Sequence, residues 1–184
     1  MRALIVYESM YGNTHQVAQQ IGEGLRGPYT VSVLPVANAM PAMIAEADLV
    51  VVGGPTHAHG MTSSFSRKEA IDAGGQPDSG LTVDPDAAGT GLRDWFKELP
   101  SRPHAKAAAF DTRVDAPAAL TGRASKGIAR RLRRLGFDLV TEPASFLVDK
   151  ETRLLPGEYE RAEEWGAHLA SIGAEAGVRP PVDK

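Results

Sequence analysis

Short apolar runs rich in β-branched residues alternate along the chain with segments of helical periodicity. This alternation is typical of βαβ units, in which helices cover both faces of a parallel sheet. Strands are predicted at residues 3–7, 30–34, 48–53, 105–110 and 139–148, the last interrupted near Pro143 because proline cannot donate to a sheet ladder. Helices are predicted at residues 13–25, 41–46, 122–135 and 157–172. The pattern therefore predicts an α/β fold.

Length and composition favour one folded domain. The chain has 184 residues, a net charge of −3 and no cysteine. This length suits a single hydrophobic core, and we predict one domain at residues 1–176 followed by a tail at residues 177–184. The negative charge argues against nucleic-acid binding, which needs many Lys and Arg contacts. Without cysteine there is no disulfide and no thiolate ligand or nucleophile, so redox chemistry would need a bound cofactor.

Two further features of the chain lead to expectations about location and surface. No run is long enough to span a bilayer and the N-terminus carries no secretion signal, so we expect a cytoplasmic protein. The connection at residues 61–104 is unusually long, with helical pieces predicted at 67–72 and 92–99. Between them, residues 74–91 are predicted to be a functional or mobile excursion over the surface.

The loop after the first strand is the candidate for ligand binding. In an open parallel sheet, ligands bind at the carboxyl ends of the strands. The side chains of Ser9, Asn13 and Thr14, together with free backbone N–H groups and the positive end of the following helix, can converge on one anion. Gly12 permits the tight turn. A helix cap alone is the alternative, but the strand, glycine and helix together favour a phosphate site. The spacing fits neither a Walker loop nor a Gly-x-Gly-x-x-Gly fingerprint.

The sequence of residues 5–14, Ile-Val-Tyr-Glu-Ser-Met-Tyr-Gly-Asn-Thr, closely resembles the signature of the flavodoxin family. The resemblance implies a flavodoxin-like three-layer sandwich with a five-stranded parallel sheet in the order 2-1-3-4-5. It also implies FMN as the cofactor. The residues that it assigns to the FMN phosphate are Ser9, Met10, Tyr11, Gly12, Asn13 and Thr14.

Two other loops resemble the flavin-ring loops of the family. The first consists of Pro55, Thr56, His57, Ala58, His59 and Gly60, and the second of Asp111, Thr112 and Arg113. Electron-carrier flavodoxins typically stack the flavin ring between a Trp and a Tyr, whereas this chain offers His57, His59 and Met61 on one side and no aromatic residue on the other. The alternating histidines are interpreted as ring contacts rather than metal ligands, because no cysteine or suitably spaced carboxylate completes a metal site.

This difference affects the expected redox chemistry. Imidazoles or Arg113 near the ring would stabilise negative charge on the reduced flavin, and for a two-electron couple about 1.4 kcal/mol of stabilisation raises the potential by about 30 mV. We therefore expect two-electron exchange with NAD(P)H or quinones. No catalytic side chain is predicted, since flavin N5 is the reacting centre.

Three functions remain open on the sequence alone. The first is an FMN-binding redox protein that mediates electron transfer with a partner protein. The second is an NAD(P)H-dependent quinone reductase or oxidase that uses residues 61–104 as a substrate pocket, and the third is a flavin-free interaction module of the same fold. The sequence does not predict the oligomeric state. A run of basic residues on the helix at 122–135 is interpreted as a solvent face rather than a docking site for an acidic partner or for the 2′-phosphate of NADPH.

Overall fold

The computed structural model describes residues 1–57, 60–102 and 104–177. The strands are β1 (Arg2–Tyr7), β2 (Thr30–Pro35), β3 (Leu49–His57), β4 (Gly60–Met61), β5 (Lys106–Val114), β6 (Asp138–Leu139) and β7 (Ala144–Val148). The helices are α1 (Asn13–Leu25), α2 (Pro41–Glu46), α3 (Ser64–Gly74), α4 (Leu92–Glu98), α5 (Ala118–Thr121), α6 (Ala124–Arg134) and α7 (Glu158–Gly177), and a 3₁₀ turn covers Val36–Asn38.

The strands form one sheet in the order β2-β1-β3-β5-β6, with all of these neighbours parallel. The fifth position is divided: β6 pairs with the beginning of β5, and β7 pairs with its end. The short strand β4 adds to the end of β3 in the antiparallel direction. The predicted flavodoxin-like α/β fold with the order 2-1-3-4-5 is confirmed, as is the interruption of the last strand near Pro143.

The sheet separates two apolar clusters, because successive strand residues point to opposite faces. On one face, Ile5 and Phe110 pack with residues of α1 and α7. On the other face, Val6 and Val52 pack with residues of α2, α4 and α6. Helices thus cover both faces, which explains why the strands are nearly continuous apolar runs.

The closest helix contact joins α1 to α7 and fixes the position of α1. A Cβ atom on Gly24 would lie 2.0 Å from the carbonyl oxygen of Glu163, and one on Gly166 would lie 2.3 Å from that of Ile21. Only glycine allows this approach of the two backbones. Because α1 is held along its length, the loop at its beginning has a rigid support.

The outer edge of β7 is covered by residues of the same chain. Leu147 donates its N–H to the carboxylate of Glu158 at 2.8 Å, and its carbonyl oxygen accepts from the N–H of Leu155 at 3.0 Å. The guanidinium of Arg161 donates to the carbonyl oxygen of Ser145 at 2.6 Å. The backbone groups that a sheet edge normally presents to solvent are therefore engaged here.

Several element boundaries differ from the prediction; for example, the helix predicted at residues 67–72 covers Ser64–Gly74. β5 continues to Val114, so Asp111, Thr112 and Arg113 belong to a strand and not to a loop, because pairing with β3 and β7 continues through these polar residues. β3 likewise extends to His57. α7 continues to Gly177, where the tail was expected to start, and residues 178–184 lie outside the described residues.

Candidate functional site

A cavity of about 250 Å³ opens at the carboxyl edge of the sheet, where β1, β3 and β5 end beside the beginning of α1. Most of the residues predicted for the site meet here. Those lining the cavity are Ser9, Met10, Tyr11, Asn13, Thr14, Pro55, Thr56, His57, Thr112 and Arg113. Val114, Val148 and Thr152 complete the lining.

The turn before α1 presents backbone N–H groups at the beginning of the helix. Gly12 has φ +86°, a left-handed conformation that glycine adopts without strain, and its N–H donates to the hydroxyl of Ser9 at 3.1 Å. In the described part of the chain, the N–H groups of Asn13, Thr14 and His15 find no acceptor. These are the first three donors of the helix, where its dipole is positive, so they favour a negatively charged ligand.

Two threonine hydroxyls form the floor between α1 and β5. The Oγ1 atoms of Thr14 and Thr112 are 2.7 Å apart, and both residues are buried. One hydroxyl donates to the other, so the hydrogen of the second remains for a ligand in the cavity. The pair also fixes the beginning of α1 against the centre of the sheet.

Asn13 and Thr152 close another side of the cavity. The Asn13 amide donates to the carbonyl oxygen of Thr152 at 2.6 Å, and Thr152 has φ +59°. Sequence reasoning did not identify Thr152, Val114 or Val148. Val114 and Val148 are the last residues of β5 and β7, and Thr152 follows β7. The rule that parallel strands end at one edge places all three near the site, but nothing in their chemistry distinguished them.

His57 is a partly buried imidazole at the end of β3. Burial lowers its pKa, and the negative charge of Glu8 opposes this effect to a smaller extent. The ring is therefore neutral near pH 7, with one nitrogen donating and the other accepting. Glu8 itself is buried, where its carboxylate accepts from the Thr62 hydroxyl and, at 2.8 Å, from the N–H of Leu92.

Asp111 is buried and does not line the cavity. Its Oδ2 atom accepts from the N–H of Ser125 at 2.7 Å and from the hydroxyl of Thr56 at 3.2 Å. Thr56 in turn accepts from the N–H of Ala124 at 2.9 Å. Asp111 and Thr56 thus cap the beginning of α6. Asp111 therefore holds α6 beside the cavity, and its neighbours Thr112 and Arg113 line the cavity.

Arg113 lines the cavity with a guanidinium that is only partly engaged. Nη1 donates to the carbonyl oxygens of Ala116 at 2.7 Å and Val114 at 3.2 Å. Nε is buried and has no hydrogen-bond partner in the described chain. A buried donor without an acceptor is unusual in a folded protein, and the Oδ1 atom of Asp111 is likewise buried without a partner.

The remaining predicted ring residues lie elsewhere. Met61 is buried against Gly127 of α6, so the expectation that it faces the flavin ring is wrong. Gly60 of β4 pairs with His57 of β3 and does not line the cavity. Ala58 and His59 lie outside the described residues.

The long connection packs against the loop that precedes α1. The N–H of Asp84 donates to the carbonyl oxygen of Met10 at 2.8 Å, and the hydroxyl of Tyr7 donates to Asp86 at 3.3 Å. His15 stacks on Tyr7 with ring centroids 4.5 Å apart and lies 3.6 Å from the Asp84 carboxylate. Burial raises the pKa of Tyr7, and Asp86 and Asp84 raise it further.

The packing of the long connection against the loop before α1 does not agree with the predicted substrate pocket. Residues 61–104 were expected to form a substrate pocket over the flavin in one of the three functions. In the described chain, none of them lines the 250 Å³ cavity, and the turn around Asp84 lies instead against the loop before α1 and against α1 itself.

Across the described ranges, no helix is long and apolar enough to cross a membrane.

Comparison with known proteins supports the resemblance. The family model described as Flavodoxin matches residues 5–92. No curated protein matches the chain. Among solved structures, a flavodoxin from the domain Archaea is 19% identical with a TM-score of 0.65, covering 95% of this chain and 99% of the other. Flavodoxin 1 from Bacillus cereus is 16% identical with a TM-score of 0.64, covering 97% and 100%.

A larger protein contains the same fold as one part. The rubredoxin oxygen:oxidoreductase from Desulfovibrio gigas is 20% identical to this chain with a TM-score of 0.58, and the match covers 96% of this chain but 37% of that one. The resemblance read from residues 5–14 is thus confirmed: the chain has a flavodoxin-like fold, and its residues 5–92 match the flavodoxin family.

Proposed function

We propose that this chain binds FMN non-covalently and transfers electrons as a flavodoxin-like redox protein. The observation that carries the proposal is the turn before α1: the N–H groups of Asn13, Thr14 and His15 find no acceptor in the described chain, and Asn13 and Thr14 line the same cavity as Thr112. Such a site holds a phosphate by neutral donors and the helix dipole. In this proposal the loop Ser9, Met10, Tyr11, Gly12, Asn13 and Thr14 holds the phosphate of FMN.

The rest of the cavity fits the flavin ring. Pro55 and His57 supply one wall at the end of β3, and Thr112 and Arg113 supply another at the end of β5. The Arg113 side chain lines this wall, and a guanidinium can donate to the carbonyl and ring-nitrogen acceptors of a flavin ring. When bound, FMN supplies the redox centre, and the protein supplies position and charge.

A phosphate-dependence experiment tests the loop. FMN and riboflavin are titrated separately into the protein, and binding is followed by quenching of flavin fluorescence. We expect riboflavin, which lacks the phosphate, to bind at least about tenfold more weakly, because each factor of ten corresponds to only about 1.4 kcal/mol. Thr14→Ala should weaken FMN more than riboflavin, and Thr30→Ala, at an exposed position on β2, should change neither.

The outcomes separate the functions. Equal losses for both ligands in Thr14→Ala contradict the phosphate assignment. A protein that binds neither flavin is the flavin-free interaction module of the third hypothesis. Binding of FMN followed by bleaching with NADPH or NADH alone favours a reductase, whereas reduction only through a separate protein favours an electron carrier.

One observation favours the reductase as a second candidate. The cavity wall carries the cation of Arg113 and an imidazole, and the described lining contains no carboxylate. A positive wall stabilises negative charge on reduced flavin. Arg113→Gln should therefore lower the potential of the bound flavin, by about 30 mV for each 1.4 kcal/mol of stabilisation lost in a two-electron couple. An unchanged potential in a redox titration contradicts this role.

The cytoplasmic location stays a prediction, to be checked by cell fractionation.

A further inference from the structure

A basic surface covers α4 and α6 on one face of the sheet. Along the outer side of α6, exposed cations recur at spacings of three and four residues, which place them on one side of the helix. They are Lys126, Arg130, Arg133 and Arg134. The row is about 12 Å long, at about 1.5 Å per residue. Within the described ranges, none of these cations forms a salt bridge.

The helix α4 adds further cations to this surface. A pocket of about 170 Å³ lies between the two helices, and its described lining contains no carboxylate. The residues that line it are Arg93, Phe96, Lys97, Arg131, Arg134 and Leu135. Lys97 pairs with Asp94 at 2.8 Å, whereas the three arginines form no salt bridge with a described residue. The sequence of α6 alone was interpreted as a solvent face, because it does not show the cations of α4.

Arg131 distinguishes this surface from an ordinary solvated helix face. Its side chain is partly buried, and it lies among cations of both helices. Burial lowers the pKa of Arg131, and the positive charges of Arg93, Arg134 and Arg130 lower it further. Arg93 is held in place, because its guanidinium donates to the carbonyl oxygen of Thr62 at 2.6 Å. Like charges held together repel one another, and an anionic group that binds among them removes this repulsion.

The extent and composition of this basic surface fit a protein ligand. A single small anion would occupy the pocket and leave most of the row on α6 without a partner. Phe96 and Leu135 contribute apolar surface to the pocket, and protein interfaces are enriched in arginine and aromatic residues. A nucleic acid is disfavoured, because the chain as a whole has a net charge of −3. The complementary surface is therefore a group of Asp and Glu side chains on a protein.

The acidic residues of this chain itself are on the wrong side to serve as that surface. Glu160, Glu163 and Glu164 are exposed on α7, which packs with α1 on the opposite face of the sheet. A contact between the basic face of one copy and the acidic face of another would be head-to-tail. Such contacts produce open filaments unless the rotation closes a ring. A different protein is the simpler occupant.

We propose that the basic surface of α4 and α6 is the docking site for an acidic protein, the partner with which the bound flavin exchanges electrons. The role of this partner rests on the proposed function, whereas its acidic chemistry rests on the charges of α4 and α6. The beginning of α6 lies beside the flavin cavity, because the N–H of Ala124 donates at 2.9 Å to Thr56 in the cavity wall. Opposite charges would also speed the association of the two proteins.

The test uses a fluorescently labelled polyglutamate peptide as the acidic probe. Its binding to the full-length protein is followed by fluorescence anisotropy in about 0.1 M salt, where screening limits the reach of a charge to about 10 Å. We expect Arg131→Gln combined with Arg134→Gln to weaken binding at least about fivefold. The matched control combines Lys150→Gln with Arg153→Gln, which removes two exposed cations from the turn after β7. It should change the affinity less than about twofold.

Three results would overturn the inference. The first is an unchanged affinity of the Arg131 and Arg134 double variant for the peptide, or equal losses in both double variants. The second is an oligothymidylate of the same length that binds as tightly as the peptide and is lost with the same two arginines, which would identify a nucleic-acid surface. The third is self-association in analytical ultracentrifugation that disappears in this variant, since the partner would then be a second copy.

The affinity for FMN separates this inference from the proposed function. Neither pair of cations lines the flavin cavity, so FMN should bind both double variants within about twofold of the original. A protein that binds the peptide but no flavin overturns the proposed function and leaves the docking site standing. Loss of FMN together with the peptide overturns the docking site. Circular dichroism checks folding, and if the first double variant does not fold, Lys126→Gln combined with Arg130→Gln replaces it with the same expected loss.

Discussion

Gly12 determines the direction in which α1 presents its first N–H groups. Its φ of +86° is a conformation that disfavours any residue with a Cβ atom, although the nearest neighbouring atom to such a Cβ would be 3.9 Å away. The penalty is therefore conformational rather than steric, about 1–2 kcal/mol. Gly12→Ala should lower the free energy of unfolding by this amount in a urea titration and should also weaken FMN binding, because the turn would shift.

Gly27 provides a matched control for Gly12. It lies just past the other end of α1 at φ +106°, and a Cβ there would have nothing within 4 Å. Gly27→Ala should destabilise the protein to a similar extent while FMN affinity stays constant. If both variants lose stability and neither loses FMN affinity, the phosphate does not bind at the turn before α1.

His57 should make the protein sensitive to acid. Burial places the pKa of its imidazole below the ordinary value of 6.5 in the folded state. As the pH falls through about 6.5, the unfolded chain takes up a proton before the folded one does, so the free energy of unfolding decreases. Between about pH 7 and pH 5, His57→Gln should lose less stability than the original protein in urea titrations. His168→Gln, at an exposed position on α7, is the control, and a pH dependence unaltered by His57→Gln contradicts this explanation.

At the scale of elements, the bounds that neighbouring residues mark were predicted better than those set by contacts between distant residues. The bounds of α1 at residues 13–25 and α2 at residues 41–46 match the prediction, because apolar spacing, Gly27-Pro28 and Pro41 mark them in the local sequence. β5 was predicted to stop at Phe110 because Asp-Thr-Arg has the polarity of a loop. The polar residues remain in the strand because β7 and β3 flank them on both sides, and that pairing involves residues distant in sequence.

The candidate site was also predicted where its residues are adjacent in sequence, and not where a residue's role depends on contacts with distant parts of the chain. The phosphate loop is contiguous and follows a strand, so its residues were found together, and the structure brings ten predicted residues to one cavity. Asp111 was expected at the flavin ring because residues 111–113 resemble the second flavin-ring loop of the family. Its hydrogen bond to the N–H of Ser125 depends on where α6 begins, and no local pattern reveals that.

Asp111 should therefore be more important for stability than for flavin binding. Asp111→Ala would leave the N–H of Ser125 and the hydroxyl of Thr56 without their buried acceptor, and we expect a loss of about 1–3 kcal/mol in the free energy of unfolding. Asp115→Ala, an exposed change just after the same strand, should stay within about 0.5 kcal/mol of the original. Affinity for FMN reduced as much as in Thr14→Ala, at unchanged stability, would show instead that Asp111 contacts the ligand.

For the whole molecule, the two tryptophans report on opposite faces of the sheet. Trp95 of α4 is buried in the cluster with α2 and α6, and Trp165 of α7 packs against Phe110 and Phe146 in the cluster with α1. One sheet separates the two clusters, and its central strands contribute residues to both. The two faces should therefore lose their structure together, as expected of a single domain.

This prediction uses two variants with one tryptophan each, Trp95→Phe and Trp165→Phe. Urea unfolding followed by the remaining tryptophan should give the same midpoint as far-UV circular dichroism within each variant, because both probes report one transition. A fluorescence midpoint well separated from that of circular dichroism in either variant would show that the two faces unfold as separate units.

The covered edge of β7 has a consequence for the protein in concentrated solution. Unpaired edge strands are templates on which further chains add, which is a common route to fibrous aggregates. In this molecule the edge position is divided into strands of two and five residues, and Glu158, Leu155 and Arg161 already engage backbone groups of the longer one. A neighbouring copy that approached this side would have to displace bonds within the chain, so the residues that fasten α7 to the sheet also act as a barrier to polymerisation.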